Sequence, residues 1–219
     1  MKNQYVGDIN DFFKYSILEI IEKELGKKIF VAWMLTKSEG MDIEYSEYKN
    51  LNESLYSNLQ EILISNKRNV ESIQSIYTNY LYHSELLEKR KREEYFNEVE
   101  IKSQTSDLIF FDPDNGISYT SDSIEHLNWD EIKRFWNDGK GKDLLIYQHF
   151  RRQKWNEFIS ELNEHIKKDL KGALLVPIKT KNVMFLYIGR KDIKKKLEKP
   201  LARWGELITI FDGDNNGNI

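Results

Sequence analysis

The chain has 219 residues, 40% of them hydrophobic and 13% aromatic, enough to build a packed core and too apolar for a disordered chain. It contains no cysteine, which excludes disulfides, thiolate metal sites and a cysteine nucleophile; any metal would be held by oxygen or imidazole. The net charge of −3 conceals an uneven distribution, because residues 150–204 hold 15 lysines and arginines against 6 acids.

No apolar run reaches the roughly 18 residues of a membrane span, and no basic-then-apolar leader opens the sequence. The expectation is a single cytoplasmic α/β domain over 1–219, with a helical insertion at about 40–100. The basic stretch 150–204 makes nucleic acid the candidate partner, against the plainer reading of a solvated helix face.

Ile9, Phe12, Phe13, Ile17, Ile20, Ile21 and Leu25 recur at helical spacing. Asp8 and Asp11 resemble a capping box at the start of this helix, and Gly26 fits its C-terminal cap. Residues 28–35 read as a buried strand. Helices are predicted around 51–64, from 70, and over 85–100, with a short strand at 80–84.

Residues 107–112 form a strand running into Asp112-Pro-Asp-Asn-Gly116. A helix over 129–137 is expected to end at Gly139, and a second strand occupies 143–149. A long helix over 151–170, a hairpin of 173–177 with 183–188, a helix over 191–204 and a strand at 207–211 complete the order. Strands this apolar, alternating with helices, predict a three-layer α/β sandwich. Its sheet is mostly parallel, with a C-terminal antiparallel hairpin.

Ligands of such sheets sit beyond the carboxyl ends of the strands, which is where Asp112, Asp114 and Asn115 fall. The plainer reading is an ordinary Asp/Asn/Gly turn. His149 ends the neighbouring strand and can act as base, ligand or hydrogen-bond donor. Asp112, Asp114, Asn115 and His149 are therefore the catalytic candidates. Tyr147, Gln148 and Arg151 are the substrate-contact candidates beside them. Asp212-Gly-Asp-Asn-Asn-Gly217 matches the first half of a calcium loop but lacks the later glutamate, and reads as a polar tail.

Tyr5-Val-Gly-Asp8, Asp11-Phe12, Lys14-Tyr15, Phe111-Asp-Pro-Asp-Asn-Gly116 and Tyr147-Gln-His149 together resemble the motifs of a bacterial protein family to which no activity is attached. More distantly, the layout is similar to class I adenosylmethionine-dependent methyltransferases of the ribosomal-RNA adenine-N6 type. That resemblance implies S-adenosylmethionine as cofactor, bordered by Tyr5, Gly7, Asp8 and Lys14. It also implies that Asp112 accepts a hydrogen bond from a target amino group. Asp114 and Asn115 replace the Pro-Tyr pair of those enzymes, and Thr36-Lys-Ser-Glu-Gly40 stands where a glycine-rich turn is expected. The alternatives are a Mg²⁺-dependent nuclease or phosphodiesterase using Asp112, Asp114 and His149, and a non-catalytic binding module on the same fold.

Overall fold

The computed structural model describes residues 1–37, 46–120, 123–137, 141–149 and 153–211. Arg151, the polar tail at 212–217, Gly139 and most of the 36–40 turn therefore lie outside the described residues.

Helix α1 spans Ile9–Leu25, as its apolar spacing predicts. The Asp8 carboxylate accepts from the Asp11 N–H, and Gly26 closes the helix in the left-handed conformation at φ 62°. Strand β1 (Ile29–Ala32) follows and is buried throughout. The segment expected as a helical insertion carries α2 (Glu53–Ile64), α3 (Val70–Ile76), β2 (Leu81–His83) and α4 (Arg92–Lys102). Strand β2 pairs with β1, so this segment supplies part of the main sheet as well as helices.

The remaining strands are β3 (Leu108–Phe111), β4 (Gly116–Ser118), β5 (His126–Asn128), β6 (Asp143–His149), β7 (Leu174–Thr180), β8 (Val183–Gly189) and β9 (Ile208–Ile210). Helices α5 (Trp129–Trp136), α6 (Trp155–Asp169) and α7 (Lys194–Ala202) lie between them. Asn137 at φ 43° caps α5. The described part of the 151–170 helix starts only at Trp155, and α7 is shorter than the 191–204 expected.

The main sheet has seven strands in the order β2-β1-β3-β6-β8-β7-β9. The first four run parallel, and β8 enters antiparallel between β6 and β7. This is an α/β fold with a mostly parallel mixed sheet and the C-terminal hairpin at one side. A separate two-stranded sheet pairs β4 with β5; neither three-residue strand carries a sequence signal strong enough to predict it.

Strand alternation divides the core into two layers. Val31, Phe110, Leu145 and Phe185 pack beneath α1, α2, α3 and α7 on one face. Phe30, Ile109, Phe111 and Ile146 pack against α4, α5 and α6 on the other. No helix among the described residues is long and apolar enough to cross a membrane.

Candidate active site at the carboxyl edge of the sheet

The register fixes which side chains can meet. Ala32, Phe111 and Ile146 lie side by side on β1, β3 and β6. One residue further along, alternation turns Asp112 and Tyr147 toward the α1 face. Helix α1 crosses above them and lowers Lys14 between its own Asp11 and Asp112. The Lys14 ammonium lies 2.7 Å from Asp11 Oδ1 and 2.7 Å from Asp112 Oδ2, with all three groups buried. It also sits 5.4 Å from the centre of the Tyr147 ring.

Asp11 is doubly employed. Its other oxygen, Oδ2, accepts the Gly7 N–H at 3.0 Å. Gly7 has φ 89°, a conformation that favours glycine, and a Cβ there would stand 2.9 Å from Leu63 Cδ2. The sequence suggested Asp11 only as a partner in a capping box, whereas in the fold it ties the Gly7 turn to the buried lysine.

Asp11, Lys14, Asp112 and Tyr147 line a cavity of about 330 Å³, open at the sheet edge. Of the candidates, Tyr5, Asp8, Lys14, Asp112, Asp114, Asn115, Tyr147 and His149 all line it. Sequence reasoning missed Asp11 and Glu125 as members of the wall; Glu125 arrives from the turn before β5 and had no motif to mark it.

Gly7 and Gln148 do not line it. Gln148 points to the opposite face, as a strand residue between Tyr147 and His149 must. Its Oε1 accepts the Ile117 N–H at 2.9 Å, and its Nε2 donates to the carbonyls of Asn115 (3.0 Å) and His149 (3.1 Å). It is a brace beneath the Asp112–Gly116 loop. Gly116, at φ 93°, is confined by this brace, because a Cβ would overlap the Gln148 amide. His149 is exposed at the rim.

The electrostatics are dominated by burial. Burial alone pulls the Lys14 ammonium down, but Asp11 and Asp112 outweigh it and hold it charged well above the ordinary lysine value. Burial raises the Asp112 carboxyl, with Lys14 opposing that rise only in part. Asp8 is pushed up to about 7, first by burial and then by the neighbouring Asp11 charge. Burial also raises the Tyr147 phenol.

Asp114 Oδ2 accepts from the Thr36 hydroxyl at 2.6 Å, and Oδ1 lies 2.8 Å from the Met1 amino group. Asn115 donates its amide to Glu125 Oε2 at 3.0 Å and its backbone N–H to the Glu125 carbonyl at 2.8 Å. Neither side chain is idle.

No protein-family model, curated protein or solved structure matches this chain. Its chemistry must therefore be read from its own residues.

S-adenosylmethionine does not fit the turn after β1. Trp33 and Met34 fill its start, both fully buried, and there is no glycine among its described residues, 33–37. Three of its N–H groups are already spent: Trp33 on the His83 carbonyl, Met34 on the Tyr95 hydroxyl and Thr36 on the Met1 carbonyl. A Mg²⁺ ion does not fit Asp112 and Asp114 either. The Lys14 ammonium already occupies the cation position on Asp112, and among the described residues no group of three or more His, Asp or Glu is arranged to hold a metal.

Two helices of the basic stretch lie on opposite faces of the sheet. Helix α6, with Lys167 and Lys168, packs on one face of the sheet, whereas α7, with Lys195, Lys196 and Lys199, packs on the other. Closeness in sequence does not bring these two groups of lysines to one face of the sheet.

Proposed function

We propose that the protein is an enzyme acting on an amino group, and that its cavity receives a planar, amine-bearing ring of the aminopurine or aminopyrimidine kind. The observation that carries this reading is the composition of the wall. Asp8, Asp11, Asp112, Asp114 and Glu125 face the same space as Tyr5, Tyr147 and His149. Carboxylates accept hydrogen bonds from amines, and aromatic faces stack on planar rings.

The roles follow from what each carboxylate is free to do. Asp112 is held by Lys14 and serves as a fixed acceptor, the part implied by its resemblance to the adenine-N6 enzymes. Asp8 is the proton carrier, because a group that titrates near 7 can both take and return a proton at neutral pH. A cavity of about 330 Å³ is at the small end for ligand sites, so it takes a single ring or nucleoside, or one base turned out of a strand.

Calorimetric titration with adenosine and with inosine tests the reading, since inosine carries a carbonyl where adenosine carries the amine. Adenosine is expected to bind at least about tenfold more tightly, the difference made by leaving buried acceptors unpaired. Equal affinity, or no binding of either, would overturn it. A parallel titration with S-adenosylmethionine reports directly on the cofactor that the β1 turn does not accommodate.

A further inference from the structure

A second cleft, of about 550 Å³, opens beside the first and shares two of its wall residues, Lys2 and Glu125. Its composition is different. Leu35, Leu87 and Ile124 give it an apolar lining, and Lys2, Lys37 and Lys89 border it. None of these three lysines makes an ion pair among the described residues. Of the two acids at the cleft, Glu88 and Glu125, the second is already turned to the Asn115 amide.

Two adjoining spaces of opposite character suit a ligand with two unlike ends. The first space is rich in hydrogen-bond acceptors and would repel a phosphate. The second presents three ammonium groups around an apolar lining and would attract one. We propose that the second cleft is a phosphate subsite, and that the substrate is a nucleoside monophosphate whose amine-bearing base enters the first cavity while its phosphate meets Lys2, Lys37 and Lys89. This rests on the amine-binding reading of the first cavity and narrows its substrate class.

The test compares adenosine with adenosine 5′-monophosphate in calorimetric titrations of the full chain and of the K37A/K89A double variant. Both lysines are exposed, so the variant is expected to fold. The monophosphate should bind the wild-type protein about tenfold more tightly than adenosine, consistent with charge-assisted hydrogen bonds, and the gain should shrink in 0.5 M salt. In the double variant the gain should disappear while adenosine affinity is unchanged. A monophosphate that binds no better than adenosine, or whose advantage survives in K37A/K89A, overturns the phosphate subsite and leaves the amine reading standing. Monophosphate binding that depends on the lysines but is matched by inosine 5′-monophosphate supports the subsite and overturns the amine reading instead.

Discussion

Lys14 Nζ and Asp112 Oδ2 meet at 2.7 Å across 98 residues of sequence, joining the first helix to the loop that follows the third strand of the sheet. Both partners are buried, and Asp11 completes the bridge from the other side. An isolated charge could not be kept there, because burial without a partner costs several kcal/mol. The bridge fixes where α1 lies on the sheet and thereby where Asp8 faces the cavity.

Lys14→Met is therefore expected to destabilise the protein by about 3–5 kcal/mol, since two buried carboxylates lose their counter-charge at once. Adding Asp112→Asn should recover part of the loss, the sign of direct coupling in a double-mutant cycle. Urea denaturation of the three variants measures both quantities. A single-variant cost under about 1 kcal/mol would mean that the bridge does not hold the helix in place.

Asp8 gives a signed pH dependence. Its value in the folded protein is about 7 against the ordinary 3.8, so the folded state binds this proton more tightly than the unfolded chain. That contribution is complete below 3.8 and is lost as pH rises through 7. Asp8→Asn keeps a side-chain oxygen to cap α1 but removes the charge. The variant should melt above the wild type at pH 8, with a difference that narrows toward pH 5. Melting curves that run parallel from pH 4 to 8 would contradict the assignment.

Gly116→Ala combines an unfavourable φ of 93° with an overlap against the Gln148 amide. Displacing Gln148 would also break its bonds to the Ile117 N–H and the Asn115 carbonyl. A loss of about 2 kcal/mol or more is expected, together with weaker adenosine binding because the Asp112 loop shifts. Thermal denaturation and calorimetry on the same preparation check the pair of effects.

Arg92 supports the far wall. It forks onto Glu131 (Nε to Oε1 2.6 Å, Nη2 to Oε2 2.8 Å) and donates to the carbonyls of Ser123 (3.2 Å) and His126 (2.8 Å), on either side of Glu125. Burial raises the Glu131 carboxyl even with Arg92 beside it, so the acid depends on this partner. Arg92→Lys keeps the charge but loses the fork, and should cost about 2 kcal/mol and weaken adenosine binding through Glu125. Unchanged affinity would show that the wall stands without it.

The sequence by itself determined those features that depend on neighbours along the chain. The 3.6-residue spacing from Ile9 to Leu25 specified α1 with Asp8 and Gly26 at its ends. The apolar runs before Asp112 and through 143–149 specified two buried strands, and with them the loop at the carboxyl edge. Helix periodicity, caps and strand burial are local in origin, so they can be read locally.

Only the tertiary structure decided which of those residues share a site. Strand pairing placed Asp112 beside Tyr147, and α1 crossing over them converted Asp11 from a cap partner into one half of a buried ion bridge. The same alternation turned Gln148 to the other face, although it sits between two residues that line the cavity. Glu125 joined the edge from the turn before β5, Lys37 from the segment after β1 and Lys89 from a 3-10 turn just before α4. Pairing register and helix crossing are set by long-range packing, and no window of sequence contains both partners of such a contact.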